Sequence, residues 1–551
     1  MSRFVATLLA TAGESSRGMV TGEPNAARRR TWREVHEEAR RMAGSLVADG
    51  FTPGSAVGVL AGAPELIAPA VQAVWLAGGS VTMLHQPTPR TDLAVWSEDT
   101  VKVLDMIGAE LVLLGTPFDA LAPVLDEHGV RHRSLAGLLD GEPLAEPVST
   151  GEDDVALLQL TSGSTADPKA VTITHGNLAA NVASMAEAAE LDGARDVMVS
   201  WLPLFHDMGM VGFLTVPMTV GVELVKVTPV DFLTAPLLWP DLITRYRGTI
   251  TAAPNFAYAI VGRRLAKADD DAGYDLSTLR IALNGAEPID EAAVRGFVAA
   301  GARFRMPADC VLAAYGMAEA TLAVSFAPPF TGLIVDHIDA DELEQGNRAA
   351  PARDDERERS FALLGPPLPG LEVSVVDDNG VVLGDRQVGE LRVRGAAVTP
   401  RYLTTHGPVS TQDDEGWLVT GDLGYLAGDQ VVVCGRRKDV IIMGGRNIYP
   451  TDIERAAMAV DGVRAGNAVA VRLDAGSRRE RFAVVVESTM AGDDEAERLL
   501  RKEIAAKVVD AVGVRPADVV VLRPGSLPKT PSGKLRRAAA GAQLTGTIAA
   551  G

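Results

Sequence analysis

Cysteine is nearly absent from this chain of 551 residues: Cys310 and Cys434 are its whole complement. Two thiols cannot build a disulfide framework or a multi-cysteine zinc site. Both lie in or beside apolar runs, so buried thiols are the expectation. Long apolar runs are missing as well. None approaches the ~18 residues of a membrane span, so no span is expected. The opening MSRFVATLLATAGESS has one early Arg and too short an apolar stretch for a secretory signal, which reads as cytoplasm. Positive charge is in deficit: the net charge of −20 argues against a nucleic-acid partner, which would need a broad basic surface. ATP stays possible, because its phosphates need only a local cluster. There is no G-x-x-x-x-G-K-[ST] loop and no G-x-S-x-G elbow, so neither a Walker A site nor the usual serine hydrolase fits.

What is present is ordinary globular composition, 47% hydrophobic and 23% charged, over a length that exceeds one core. Short apolar runs alternate with helical spacing, which predicts parallel sheets covered on both faces. Trp32–Leu46, Asn177–Glu190 and Glu495–Val512 read as helices. Ser55–Ala61, Ala109–Leu114, Val222–Val227, Gly248–Ala253, Leu279–Leu283 and Val311–Ala314 read as strands. Residues 338–360 are strongly charged and poor in apolar residues, and read as a solvated loop or insertion. From Leu371 the pattern changes to short β pieces. After Arg436 a second αβ unit begins. Arg436–Asp439 is a compact charged joint, either a hinge or a hairpin turn.

The chemistry gathers around LLQLTSGSTADPKAVTITHG (Leu157–Gly176). An apolar strand end opens into Thr161, Ser162, Gly163, Ser164 and Thr165, followed by Pro168-Lys169. Glycine lets backbone N–H groups approach, hydroxyls donate and lysine neutralises, which is the make-up of a phosphate cradle. In SWLPLFHDMGMVGF (Ser200–Phe213), His206 and Asp207 interrupt an apolar stretch. That suits an apolar pocket with a polar gate, or a plain core. Asn284-Gly285-Ala286-Glu287-Pro288 follows a strand, and its small residues let a flat ring lie against the backbone. Ala314–Glu319 also follows a strand: Tyr315 offers an aromatic face and Glu319 a hard oxygen ligand for Mg²⁺. Either stretch alone could be an ordinary loop. In WLVTGDLG, Asp422 suits a ribose diol or an Asx turn. Near the end, PGSLPKTPSGKLRR sets Lys534 in a Pro/Ser/Gly-rich loop.

The phosphate stretch, Asn284–Pro288, Ala314–Glu319, WLVTGDLG and the Lys534 loop, five motifs in this order, resemble the adenylate-forming enzymes, a family of acyl-CoA synthetases, luciferases and peptide-synthetase adenylation domains. FHDMG, and Ala318 followed by Glu319-Ala320-Thr321, resemble its fatty acyl-AMP ligase branch. MLHQPTPRTDLAVW (Met83–Trp96), TAAPNFAYA (Thr251–Ala259) and VIIMGGRNIYPTDIERAA are similar to the actinobacterial acyl-ACP ligases of isonitrile lipopeptide biosynthesis. The resemblance, over residues 30–540, implies an α/β fold. A large N-terminal adenylation domain (1–436) would hold parallel-sheet αβ subdomains and a small β-barrel at about 365–436. A small, mobile α+β C-terminal domain (437–551) would follow.

It implies ATP and Mg²⁺ as cofactors. Nucleotide contacts would come from Thr161–Thr165, Lys169, Gly285, Ala286, Glu287, Ala314, Tyr315, Gly316, Met317, Asp422 and Arg436. Thr161 and Glu319 would serve the metal, Lys438 the hinge, and Lys534 and His206 catalysis. An acyl pocket would draw on Trp201, Phe205, His206, Met210, Phe213, Asn255, Phe256 and Tyr258. The substrate would be a fatty acid, short or medium in chain, with α,β-unsaturation open, passed to a holo acyl carrier protein for lipopeptide biosynthesis. The carrier is favoured by Arg446, where many CoA ligases carry Glu, and by the basic cluster Arg523, Lys529, Lys534, Arg536 and Arg537. A fatty acyl-CoA ligase and a catalytically inactive nucleotide-binding regulator are the alternatives. Oligomeric state stays open.

Overall fold

The computed structural model describes residues 1–87, 91–161, 167–354, 356–443, 446–475, 480–529 and 535–548. The chain divides into two units. Unit 1 comprises Met1–Ile334, Leu364–Val373 and Val393–Leu418; unit 2 comprises Val335–Leu363, Ser374–Arg392 and Val419–Gly551.

Unit 1 is built on two eight-stranded sheets. The first runs Ala323–Phe326, Val311–Gly316, Ile281–Asn284, Ile250–Ala253, Val197–Ser200, Glu223–Lys226, Gly18–Thr21, Arg28–Thr31. Its interior pairings are parallel and its two margins antiparallel. The second runs Gly407–Ser410, Arg401–Thr404, Lys169–Thr174, Val155–Thr161, Ser80–Met83, Ala56–Leu60, Ala109–Leu114, His132–Ser134. It is parallel from Val155–Thr161 onward and antiparallel before it. Interior strands such as Ala56–Leu60 are buried at every residue, which is why they read as continuous apolar runs and not as alternating ones.

Helix Trp32–Ala48 buries Trp32, Val35, Ala39, Met42 and Leu46 at three- to four-residue spacing, the apolar stripe of a surface helix. Thr31 and Glu34 close a capping box at its start, satisfying two backbone donors that the helix leaves open. Helix His175–Ala188 begins with Thr174 as its cap, and Asn177 completes the same kind of box. Asn177 Nδ2 also donates to the carbonyls of Ala396 and Val398, so one residue starts a helix and anchors a distant segment.

Unit 2 overturns one expectation. Strand Val335–Asp339, helix Ala340–Gly346 and strand Glu358–Ala362 take up the two ends of the charged stretch 338–360. Ile338, Leu343 and Ala349 are fully buried, and the charges of the segment find partners within it and beyond it. Arg357 and Arg446 both pair with the buried Glu344, and Arg359 pairs with Asp452. The β-rich stretch is a four-stranded sheet in the order Leu371–Val376, Gly389–Gly395, Leu418–Ala427, Gln430–Arg436. Among the described residues no pairing joins its outer strands into the expected barrel. Beyond it, strands Val463–Leu473, Arg481–Ser488 and Asp518–Leu522 form a sheet with helices Pro450–Met458, Asp494–Val512 and Arg537–Ile548. Cys310 and Cys434 are free and buried, and burial pushes both thiols up to about 12.

Candidate active site

Four loops of unit 1 leave the same edge of the first sheet. Trp201 follows Val197–Ser200, Asn255-Phe256 follow Ile250–Ala253, Gly285–Glu287 follow Ile281–Asn284, and Ala314–Met317 end Val311–Gly316. The strands are parallel neighbours, so the loops emerge side by side at their carboxyl ends, where open α/β sheets bind ligands. Small residues are required here. A Cβ on Gly285 would come within 3.0 Å of the Ala314 carbonyl, and one on Gly316 within 2.2 Å of the Leu322 carbonyl. Ala286 has φ +68, the kind of stored backbone strain that gathers at functional sites. Glu287 Oε1 accepts from the Phe256 N–H at 2.6 Å, which ties adjacent loops together. Asn284 Nδ2 donates to Asn255 Oδ1 at 3.0 Å, doing the same.

Aromatic residues floor this edge. Trp201 stacks on Phe232 at 4.0 Å and meets Trp239 and Phe256 edge-on. Tyr258 stands further back: its hydroxyl donates to the Leu283 carbonyl and its ring packs on Trp239 and Phe297. Phe205, Met210 and Phe213 are buried in the stretch that follows Trp201. Residues 208–215 are π-helical with a kink at Phe213, where φ is −123° and ψ 19°; π-helical turns recur at functional sites. His206 Nδ1 lies 2.6 Å from Asp207 Oδ1 at its start.

The second cluster lies at the phosphate stretch. Val155–Thr161 and Lys169–Thr174 are antiparallel, with Thr161 opposite Lys169. The loop therefore spans a hairpin, and the next helix starts only at His175. Ser162, Gly163, Ser164, Thr165 and Lys534 lie outside the described residues, as do Thr88–Arg90 and Gly444-Gly445. Thr161 Oγ1 is buried without a hydrogen-bond partner among the described residues. Lys169 Nζ lies 3.9 Å from Glu319 Oε1. Glu319 sits in the short turn Ala318–Ala320. Thr321 follows with φ 67 and ψ −54, and the Leu322 N–H donates to the Ala320 carbonyl at 2.8 Å, which is the rare, strained γ-turn. Thr321 Oγ1 donates to the Ala397 carbonyl and the Thr399 N–H donates to the Glu319 carbonyl. Strand Arg401–Thr404 then delivers Tyr402, whose hydroxyl donates to Glu319 Oε1 at 2.6 Å and whose ring lies 3.9 Å below Lys169 Nζ. Sequence reasoning missed Tyr402, since Arg-Tyr-Leu-Thr carries no signal beyond that of a short strand.

In unit 2, Asp422 is buried and pairs with Arg436 Nε at 2.8 Å across two antiparallel strands. The Thr420 carbonyl also accepts from Arg436. Lys438 lies in the turn Arg437–Asp439, also in unit 2, with its carbonyl accepting from Arg472. Arg537 is not available for docking: it is held by Asp439 at 2.8 Å and by Glu454 at 2.6 Å. Arg446 is likewise engaged by Glu344, and by the Val512 carbonyl. Arg536 is exposed.

The description of AMP-binding enzymes matches residues 14–403, and that of their C-terminal domain matches residues 445–539. The chain belongs to the AMP-binding enzyme family. A protein of Mycobacterium tuberculosis whose name says no more than ligase is 56% identical over 539 residues, 98% of this chain and 99% of that protein. A medium-chain-fatty-acid–[acyl-carrier-protein] ligase of Moorena producens is 34% identical over 419 residues, 72% of this chain and 69% of that protein. A solved structure from work on fatty acyl-adenylate ligases of E. coli and L. pneumophila superposes with a TM-score of 0.89 at 30% identity, over 99% of this chain and 98% of that one. This AMP-binding enzyme is an adenylate-forming ligase that uses ATP and Mg²⁺.

The residues present fit that metal. Mg²⁺ usually takes one or two protein oxygens together with substrate phosphates. Glu319 offers the carboxylate and Thr161 a buried hydroxyl with no partner among the described residues. Among the described residues no group of three or more His, Cys, Asp or Glu could hold a metal unaided. No helix among them is long and apolar enough to cross a membrane.

Proposed function

We propose that this enzyme activates a short- or medium-chain fatty acid as its acyl-AMP and transfers the acyl group to the phosphopantetheine thiol of an acyl carrier protein, in lipopeptide biosynthesis. The observation that carries the reading is Lys169 lying 3.9 Å from Glu319 and opposite Thr161, whose buried hydroxyl has no partner among the described residues. Lys169 and the loop would hold the nucleotide phosphates, and Glu319 and Thr161 the metal, whose charge stabilises the pentacoordinate phosphorus. Gly285–Glu287 and Ala314–Met317 would enclose the adenine, Asp422 the ribose diol and Arg436 the nucleotide. Trp201, Phe205, Met210, Phe213, Asn255 and Phe256 would line or support the acyl chain, with His206 at its mouth. The substrate carboxylate attacks the α-phosphorus and expels pyrophosphate. Lys534 would neutralise charge building on the transferring group. The carrier thiol then attacks the acyl carbonyl and releases AMP, after a rearrangement about Lys438.

Pyrophosphate exchange with acids of two to sixteen carbons tests the first half. Exchange should rise with chain length by about fourfold in affinity for each buried CH₂, then stop when the acyl pocket is full. A flat response would remove the pocket. Offering holo carrier protein and CoA at equal thiol concentration tests the second half. Faster acyl-CoA formation would overturn the carrier as acceptor.

A further inference from the structure

Lys169 and Glu319 pose a physical problem. An ammonium and a carboxylate 3.9 Å apart in a half-buried site attract each other more strongly than they would in water, and more again if they close to contact. A closed pair would neutralise the two charges that an incoming phosphate and metal need. Tyr402 stands at this pair. Its hydroxyl occupies one lone pair of Glu319 Oε1 and its ring face receives Lys169 Nζ. A carboxylate has about four acceptor positions, so a metal can still approach the remaining ones. A cation over a tyrosine ring is held more weakly than one in a closed ion pair.

The placement of Tyr402 is built from three directions. Arg401–Thr404 pairs with Lys169–Thr174 in a register that sets Tyr402 opposite Val171 and Thr404 opposite Lys169. The segment just before it is pinned by Asn177, by Thr321 and by Gln412, whose Nε2 donates to the Val398 and Thr399 carbonyls.

We propose that Tyr402 is a positioning residue of the adenylation site. It gives Glu319 and Lys169 partners they can surrender, and so keeps them from collapsing onto each other before the magnesium nucleotide arrives. The inference rests on reading Glu319 as the metal carboxylate and Lys169 as the phosphate lysine. Its two halves separate by substitution. Tyr402→Phe keeps the ring and removes the hydroxyl. Tyr402→Leu removes both.

The experiment is equilibrium binding of a non-hydrolysable ATP analogue, titrated with Mg²⁺ and repeated in EDTA, with wild type, Y402F, Y402L and Glu319→Gln. We expect Y402F to raise the half-saturating Mg²⁺ concentration about tenfold, the scale of a lost hydrogen bond to a charged group, while affinity in EDTA stays at the wild-type value. Y402L should show the same metal effect and also a several-fold loss of affinity in EDTA, from the lost cation–ring contact. A merely structural tyrosine would lower the melting temperature and leave the Mg²⁺ midpoint in place; that result with Y402F overturns the proposal, and Y402F carries the test if Y402L does not fold. If E319Q shifts the midpoint and Y402F does not, the assignment of Tyr402 falls alone. If E319Q leaves the midpoint unmoved, the metal reading of Glu319 falls, and the proposal with it.

Discussion

Lys226 is the residue most at odds with its surroundings. It ends strand Glu223–Lys226, is 1% exposed, and donates to the carbonyls of Leu202 at 2.5 Å and Val227 at 3.0 Å. Two carbonyl dipoles do not replace water around an ammonium, so burial pushes its pKa down to about 7, with Asp231 opposing only in part. The sign of the consequence is fixed. Between pH 7 and about 10.4, where an unfolded lysine titrates, the unfolded chain binds the extra proton, so stability contributed by this residue rises with pH. Lys226→Met removes the effect. Thermal unfolding at pH 7.5 and 9.5 should show wild type gaining on the variant by about 1–3 kcal/mol over those two units. Parallel curves would mean that Lys226 keeps its charge when folded. From sequence, Val222–Val227 reads only as a strand; that Lys226 meets no carboxylate directly among the described residues comes from the fold.

At the scale of elements, the segment Val335–Leu363 carries the sharpest contrast between sequence and structure. Its charges look like a solvated loop because sequence position does not reveal pairing. Glu344 is 2% exposed and sits between Arg357, at 2.8 Å, and Arg446. Arg446→Ala should cost about 3 kcal/mol, the low end for breaking a buried pair because Arg357 remains, and Arg446→Glu more. Urea unfolding measures it; a loss under 1 kcal/mol would show that Glu344 is satisfied without Arg446. Elsewhere the elements were legible. Buried parallel strands announce themselves as short apolar runs, and the helices Trp32–Ala48 and Asp494–Val512 by their spacing. The strands bearing Asn284, Ala314 and Asp422 stood out because glycine beside a functional side chain is local information. Tyr402 did not, since its meaning comes from a strand pairing across more than two hundred residues.

For the whole molecule, charge sets the terms of association. A net charge of −20 repels an acidic partner at long range, so a carrier protein needs a local basic landing place. With Arg537 engaged in the fold, Arg536 is the exposed member of its pair. Arg536→Glu should slow carrier loading severalfold through the association rate, with pyrophosphate exchange unchanged. Added salt should slow loading by wild type more than by the variant, since exposed charges are screened within about 10 Å at 0.1 M. Equal salt dependence in both would place the docking surface elsewhere.

The strand Arg401–Thr404 also has a place in time. Tyr402 follows Lys169 by 233 residues, roughly 10–50 s of synthesis at ordinary elongation rates. Until that strand emerges, Lys169–Thr174 lacks its neighbour on one side and presents an open sheet edge with five of six residues buried in the finished protein. Such edges recruit other chains. The growing polypeptide therefore carries an uncovered apolar strand beside Lys169 until residues 401–404 are made, with Asp422 and Arg436 still to come.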